Sequence, residues 1–309
     1  MAVIKPELKK LLENQQYSFI GNHSAIKVCE WTKKSLLDQG FCYKQQFYGI
    51  QSHRCCQLST TIGYCQNRCI FCWRPIEYTE GIKMSAPLDS PQELIEKAIK
   101  AQQKMLNGFP GNPKVNMKKF KEAQIPNQFA ISLSGEPLLY PKLGELIKEI
   151  HKRKATSFVV SNGLCPEALN KLNPLPTQLY ISVYAPDEKL FVKINQTAIK
   201  GAWEKFNKSL NILKKIKKKT RTVLRITLIK EKNMVEPENY AKLIKKAEPM
   251  FVEVKAYMFV GYSRQRLLQN NMPRHNEVKG FAEKILLFLP DYELKDEKKE
   301  SRVVLLARK

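Results

Sequence analysis

The sequence predicts an α/β fold made of about six strand–helix units, arranged as an incomplete (β/α)6 TIM-like barrel with an N-terminal extension. Apolar, β-branched runs of strand length recur along the chain, and segments of helical periodicity separate most of them. Alternating units of this kind imply a parallel sheet with right-handed crossovers. A chain of 309 residues is long enough for one α/β barrel.

The elements follow in chain order. We expect strands at Gln57–Thr61, Phe129–Leu133, Ser157–Ser161, Leu179–Val183, Val223–Ile229, Val252–Met258 and Val303–Leu306. Helices are expected at Pro91–Leu106, Pro141–Lys154, Gly201–Lys219, Pro237–Ala247 and Asn276–Leu289. This order predicts an extension at 1–54, a barrel at 55–260, and a helix and strand at 261–309 that close its side.

Charge indicates the class of partner. The chain has 53 lysines and arginines against 29 acidic residues, a formal net charge of +24. Such an excess favours a polyanion, and nucleic acid is the usual one. Two basic segments are candidate contacts: Gly108–Asn127, which we expect to be a long loop, and the lysine run at Lys214–Lys219. With no signal peptide and no apolar run of membrane-spanning length, we expect a cytoplasmic protein without membrane attachment. We also expect it to be a monomer.

Three cysteines lie close together at C-x3-C-x2-C spacing: Cys65, Cys69 and Cys72. Three thiolates can hold three irons of a 4Fe–4S cube and leave the fourth iron open to a small molecule. The alternative is a zinc loop, but structural zinc prefers four protein ligands and two C-x2-C pairs. The spacing resembles that of the radical S-adenosylmethionine (SAM) enzymes, in which the open iron chelates SAM.

A second set of cysteines lies upstream, with Cys29, Cys42 and Cys55 separated by equal steps of thirteen residues. A cytosolic chain keeps its thiols reduced, so a metal is favoured over disulfides. We expect this set to hold a second 4Fe–4S cluster. Cys56 is an equally plausible ligand on chemistry alone, and the spacing favours Cys55.

Short motifs at successive strand ends strengthen the likeness to radical SAM enzymes. Ser134-Gly135-Glu136-Pro137 resembles their G-E-P motif, whose backbone meets the SAM amino group. The resemblance implies that Asn162, Ser182 and Arg225 hold the ribose and carboxylate of SAM. Ser134, Gly135 and Glu136 complete the SAM-binding set.

The cysteine sets and their surroundings resemble one family more closely, the archaeal tRNA 4-demethylwyosine synthases. The likeness rests on Val28–Cys55, Cys65–Pro75 and Val252–Leu267, and it extends over nearly the whole chain. It implies a carbon–carbon lyase that converts N1-methylguanosine, 3′ of the anticodon in tRNA-Phe, to 4-demethylwyosine with pyruvate as two-carbon donor. Eukaryotic members add a flavodoxin-like domain that this sequence lacks, so we expect an external flavodoxin- or ferredoxin-like electron donor.

Lys44, two residues after Cys42, is the candidate catalytic residue. The resemblance implies that it holds pyruvate, either as a Schiff base or by its charge. Aromatic and basic residues near the end of the sixth strand are candidates for receiving the splayed base: Tyr257, Phe259, Tyr262, Arg264 and Arg266. Two other functions stay open, a different radical SAM enzyme whose second cluster only transfers electrons, and a non-catalytic zinc-bearing RNA-binding protein.

Overall fold

The computed structural model describes residues 4–309, so the first three residues of the predicted extension lie outside it. The chain forms two compact units. Unit one comprises the segments up to Cys65, Lys83–Val160 and Leu172–Thr177; unit two comprises Gln66–Ile82, Ser161–Lys171 and Gln178–Lys309. None of the helices within 4–309 has the length and apolar character needed to cross a membrane.

Within the described residues, unit one contains six α-helices and five strands that pair in both parallel and antiparallel fashion. The helices are α1 (Pro6–Asn14), α2 (Glu30–Leu36), α3 (Tyr43–Tyr48), α4 (Pro91–Leu106), α5 (Met117–Ala123) and α6 (Leu143–Lys152). Helices α1, α2 and α3 belong to the predicted extension. The strands are β1 (Ser18–Phe19), β2 (Ala25–Lys27), β3 (Cys55–Ser59), β4 (Gln128–Ile131) and β5 (Thr156–Ser161), whose last residue belongs to unit two. Strands β3, β4 and β5 are parallel, and β2 adds to β3 in antiparallel fashion.

Unit two is also built from alternating strands and helices. Its helices are α7 (Pro166–Lys171), α8 (Glu188–Asn195), α9 (Ala202–Ile216), α10 (Pro237–Ala247) and α11 (His275–Leu286). Its strands are β6 (Gln178–Val183), β7 (Arg221–Leu228), β8 (Phe251–Ala256), β9 (Tyr292–Lys298) and β10 (Val303–Arg308). Strands β6, β7 and β8 are parallel, and β10 joins β8 antiparallel with β9 outside it.

The predicted strands and helices are confirmed, with ends that shift by a few residues. Helices α4 and α10 begin and end where the sequence predicted. Ser90 stands at the N-cap of α4 as expected, although its side chain makes no capping hydrogen bond.

The prediction of a long loop at Gly108–Asn127 was wrong, because this segment contains α5. The side chain of Asn116 accepts a hydrogen bond from the amide of Lys119 and so begins the helix. Phe120 and Ala123 then pack into the cluster that includes Leu36 and Leu106. A tertiary cluster of this kind stabilises a short helix whose periodicity is obscured by its three lysines and by the turn-forming residues on either side of it.

The turn after β4 depends on glycine at position 135. Gly135 has φ +75°, and a Cβ there would lie 1.8 Å from the carbonyl oxygen of Thr61. Next to it, the amide of Glu136 donates to the carbonyl of Tyr64 at 2.9 Å. Glycine is therefore required first by the close approach of two loops, and not only by access for a ligand.

We expect Gly135→Ala to destabilise the protein by at least about 3 kcal/mol, because backbone strain of about 1–2 kcal/mol adds to the clash with Thr61. Urea denaturation followed by circular dichroism measures the change. Gly280→Ala is the control: Gly280 lies within α11 with no atom within 4 Å of the added Cβ, and we expect it to stabilise by about 0.5–1 kcal/mol. Equal stability of the two variants would contradict this account.

Candidate active site

Unit one brings together the upstream cysteines. Cys29 precedes α2 and Cys42 precedes α3, each in an extended conformation at the N-cap, and Cys55 is the first residue of β3. Burial raises the pKa of the Cys55 thiol well above its ordinary value, and the neighbouring Cys29 and Cys42 raise it further. The three thiols are therefore close enough for their charges to interact, as ligands of one cluster must be.

The pleat of β3 separates Cys55 from Cys56. Successive side chains of a strand point to opposite faces, so Cys55 and Gln57 share one face and Cys56 lies on the other. Cys56 is fully buried, and burial alone raises its pKa to about 12. The face of Cys55 is the one that interacts with Cys29 and Cys42, which favours Cys55 over Cys56 as their partner.

Lys44 lies among these thiols. Its side chain is buried, and its ammonium group lies 5.3 Å from the centre of the Phe158 ring. Phe158 is aligned through Ala130 with Gln57, so its ring is on the same sheet face as Cys55. The charge of Lys44 acts to lower the pKa of both Cys29 and Cys55, against the larger effect of burial. A buried cation beside three thiols can hold an anionic substrate, and a buried amine can act as a nucleophile.

All of the C-x3-C-x2-C loop after Cys65 belongs to unit two. The amide of Cys72 donates to the carbonyl of Cys69 at 2.9 Å, closing a turn. The amides of Arg68 and Ile70 donate to the carbonyls at the end of α8, those of Asn195 and Ile194. Cys65 is the last residue of the first segment of unit one. The loop is thus tied by its backbone to α8, which the sequence motifs do not indicate.

Buried amide groups beside this loop fit an iron–sulfur cluster. Asn195 is fully buried; its Oδ1 lies 3.8 Å from the Cys69 sulfur, and its Nδ2 finds no hydrogen-bond partner among residues 4–309. Both polar atoms of the Asn67 side chain are likewise buried without a partner in the described chain. Amide donors without partners beside cysteine ligands are what the sulfur atoms of a bound cluster require.

The ligands of an iron–sulfur cluster do not have to converge on one point. No three His, Cys, Asp or Glu side chains within residues 4–309 converge on one point where an ion could be held. A 4Fe–4S cube does not need such convergence, because each thiolate binds a different iron at a separate corner.

The residues predicted to bind SAM are divided between the units. In unit one, Ser134 and Glu136 are buried at the turn after β4, and the Ser134 carbonyl accepts from the Ser59 hydroxyl. In unit two, Asn162 follows β5 and its Nδ2 donates to Gln66 Oε1 at 3.1 Å. Their roles toward SAM stay predictions.

Ser182 and Arg225 form one row with a residue that the sequence analysis missed. In the register of β6, β7 and β8, Ser182 is opposite Arg225, and Arg225 is opposite Glu253. Arg225 Nε donates to the fully buried Glu253 carboxylate at 2.9 Å, and the guanidinium lies 4.6 Å from the Tyr180 ring centre. Glu253 thus orients Arg225; an isolated acid in a strand carries no signal in the sequence that would have identified it.

Several residues expected to receive the RNA base have other tasks in the structure. Tyr257 is buried in a core cluster with Ile229 and Leu267, and its hydroxyl donates to Ser263. Arg266 turns inward to hydrogen bond the cysteine loop. Of the five residues, Arg264 remains exposed.

The lysine run at the end of α9 is partly used within the protein. Lys214 and Lys217 both pair with Glu248, and their hydrogen bonds lower the pKa of that carboxyl to about 2. Lys215, Lys218 and Lys219 stay exposed. Only these three present free positive surface of the kind that the sequence analysis expected of the whole run.

Comparison with known proteins supports this chemistry. A family model described as the radical SAM superfamily matches residues 59–244, and one described as wyosine base formation matches residues 246–308. The predicted fold class is confirmed by these matches and by the solved structures below. Radical SAM proteins use SAM and a 4Fe–4S cluster, so one cluster and SAM follow for this chain as well.

Relatives and solved structures agree. The chain is 51% identical to the S-adenosyl-L-methionine-dependent tRNA 4-demethylwyosine synthase of Pyrococcus abyssi, over 98% of this chain and 89% of that protein. A structure described as TYW1 with a lysine-pyruvate adduct bound aligns with TM-score 0.89 at 38% identity, covering 99% of this chain and 97% of the other. An archaeal TYW1 crystal structure aligns with TM-score 0.81 at 36% identity, covering 99% and 96%. The chain therefore belongs to the tRNA 4-demethylwyosine synthase family of radical SAM enzymes.

Proposed function

We propose that this enzyme converts N1-methylguanosine, 3′ of the anticodon in tRNA-Phe, to 4-demethylwyosine, with pyruvate as the two-carbon donor. One observation carries the proposal: a buried lysine lies among three thiols that are not part of the radical SAM motif. A radical SAM enzyme that only relayed electrons through a second cluster would have no use for a buried amine beside it. The activity for which the related enzymes are named requires a tRNA base as substrate, and a lysine suits a 2-oxo acid as co-substrate.

We assign the cluster that binds SAM to Cys65, Cys69 and Cys72, and a second 4Fe–4S cluster to Cys29, Cys42 and Cys55. When bound, the first cluster and SAM would supply a 5′-deoxyadenosyl radical, a species able to abstract a hydrogen atom from the N-methyl group of the base. Ser134, Gly135, Glu136, Asn162, Ser182 and Arg225 orient SAM in this proposal. For Arg225, the ion pair with Glu253 holds the guanidinium plane in one orientation, as bidentate recognition of a carboxylate needs.

Lys44 holds pyruvate in this proposal. As a nucleophile, its neutral amine attacks the C2 carbonyl and water leaves, giving an imine; as a cation, it pairs with the pyruvate carboxylate. The related TYW1 structure with a lysine–pyruvate adduct supports the imine. Lys44 is the suitable lysine here because it is buried, whereas Lys33, in the same part of the sequence, is only half-buried and donates its amine to Gln16.

The remaining assignments follow from the chemistry. Reduction of the clusters needs an electron donor, which we assign to a flavodoxin- or ferredoxin-like protein in the cytoplasm, where thiols stay reduced. We propose that the enzyme acts as a monomer. The tRNA backbone contacts the exposed lysines of α9 and of α5, since phosphate contacts need cations that are not consumed by internal pairs.

Mass spectrometry of N1-methylguanosine tRNA, incubated anaerobically with the protein, SAM, pyruvate and a reductant, tests the proposal as a whole. A product at the mass of 4-demethylwyosine that depends on pyruvate is expected. Cleavage of SAM without formation of a tricyclic base would favour a different radical SAM enzyme whose second cluster only transfers electrons. Stoichiometric zinc in the purified protein would favour a non-catalytic zinc-bearing RNA-binding protein.

The triple variant Cys29/Cys42/Cys55→Ala should retain about half of the roughly eight irons of the reconstituted protein. We expect it to cleave SAM reductively but to yield no tricyclic base, because the site for pyruvate is lost. Iron analysis and product mass spectrometry measure the two effects. Cys56→Ala is the matched control, since its side chain lies on the other face of β3, and it should keep both iron and product. Full product from the triple variant would contradict the assignment.

Lys44→Ala should lower product formation at least about a hundredfold, and Lys44→Arg should be as inactive if an imine forms, because a guanidinium cannot form one. Partial activity of Lys44→Arg would indicate that charge alone is used. Borohydride trapping with labelled pyruvate, followed by peptide mapping, identifies the lysine directly. Lys33→Ala is the control and should behave as wild type. An adduct on another lysine would overturn the assignment.

Neutralising Lys215, Lys218 and Lys219 to Gln should weaken tRNA binding and flatten the dependence of log Kd on log salt by about two to three charges. Filter binding across a salt series measures the slope. Lys217→Gln is the matched control, because Lys217 is already paired with Glu248 and should change the slope little. If the triple variant keeps the wild-type slope, the phosphate contacts lie elsewhere, with α5 the next candidate.

A further inference from the structure

One arginine of the C-terminal segment is joined to the cysteine loop by several hydrogen bonds. Arg266 Nε donates to the carbonyl of Ile70 at 3.1 Å, and Nη2 donates to the carbonyls of Cys72 and, at 3.3 Å, of Arg74. Its Nη1 donates to the carboxylate of Glu77 at 2.7 Å. A single guanidinium thus contacts three carbonyls and one side chain within eight residues of the loop.

The chemistry of the contact selects arginine. Guanidinium has five N–H donors in a fixed plane, accepts no hydrogen bond, and stays charged at every relevant pH. Three backbone carbonyls of one loop need several donors at fixed positions if a single side chain is to satisfy them all. A lysine ammonium in the same place could serve one or two carbonyls, but it could not bridge three.

The same segment adds two backbone contacts to the loop. The amide of Tyr262 donates to the carbonyl of Trp73 at 3.0 Å, and Gly261 packs so closely on that carbonyl that a Cβ would lie 2.4 Å away. Residues 261–266 therefore form a strap against residues 70–77. Sequence matching assigns these two stretches to different family models, the first to wyosine base formation and the second to radical SAM.

We propose that Arg266 is a positioning residue for the SAM-binding cluster: it holds the Cys69–Cys72 loop by its carbonyls and places a positive charge beside the cluster. The inference rests on the proposed role of Cys69 and Cys72 as ligands. The positive charge favours the reduced cluster, which carries one more negative charge than the oxidised one. Glu77 opposes this effect only in part, because it is 51% exposed and screened by water, whereas Arg266 is 16% exposed.

Two measurements separate the mechanical role from the electrostatic one. Hydrogen exchange on the iron-free protein follows the amides of Arg68, Ile70 and Cys72. A redox titration, monitored by the paramagnetic signal that responds to SAM, follows the cluster of the reconstituted enzyme. In Arg266→Gln we expect exchange to accelerate about tenfold or more, and the ratio of reduced to oxidised cluster at a fixed potential to fall about tenfold, equal to about 59 mV for one electron.

Three further variants complete the design. Arg266→Lys should restore most of the reduced fraction, because charge returns, while loop exchange stays fast. Glu77→Gln should raise the reduced fraction, a shift of opposite sign, since the opposing charge is removed. Arg264→Gln is the control for both readouts, because Arg264 is exposed and its guanidinium lies over the Phe259 ring, 5.4 Å from its centre.

The outcomes are distinct. Wild-type exchange and wild-type potential in Arg266→Gln would overturn the proposal. A Lys variant that matches the Gln variant in potential would remove the electrostatic part. If Arg266→Gln does not fold, the other two variants still decide: Arg266→Lys should exchange fast at a potential near that of the wild type, and Glu77→Gln should raise the reduced fraction. Wild-type exchange in the first together with a wild-type potential in the second would overturn the proposal. Because exchange is measured without iron, failure of the proposed reaction leaves this test intact.

Discussion

The parallel hydrogen-bond ladder that joins β3 to β4 is the interaction on which the candidate chemistry depends. It fixes which face each β3 side chain occupies, so Cys55 is directed toward Cys29, Cys42 and Lys44 while Cys56 is buried on the opposite face. The same strand leads directly into the segment that ends at Cys65. A slip of one residue in this ladder would turn Cys56 to the face now occupied by Cys55. Cys55 would then point away from Cys29 and Cys42.

The electrostatic effect of a charged side chain in this protein depends on how far it is buried. Lys44 and Arg266 are largely withdrawn from water, where a positive charge is screened little; Lys44 lies beside the upstream thiols, and Arg266 is hydrogen bonded to the second cysteine loop. Lys214 and Lys217 belong to a basic run of the sequence but are neutralised by Glu248. The net charge of +24 therefore indicates a polyanionic partner, but it does not identify the lysines that contact this partner.

Much of the fold could be predicted from local patterns. Strand and helix periodicity located β3 to β8 and four of the helices between them, α4, α6, α9 and α10, because apolar spacing reports the face that each element buries. The error at Gly108–Asn127 has the same origin: α5 is short, and its stability comes from packing of Phe120 and Ala123 on distant residues. Tyr257 was assigned to RNA contact because an aromatic residue looks alike in a core and on a surface, and only burial separates the two.

By itself the sequence determined the chemistry that is available: two sets of three thiols, a lysine next to one of them, and a family resemblance that the comparisons confirmed. Ligand type and spacing are local properties, so a single chain records them. Tertiary structure decided which groups meet: Cys55 and not Cys56, Glu253 on Arg225, Asn195 on Cys69, and Arg266 on the loop carbonyls. These pairs are separated by up to nearly two hundred residues, and no local pattern records a contact made through folding.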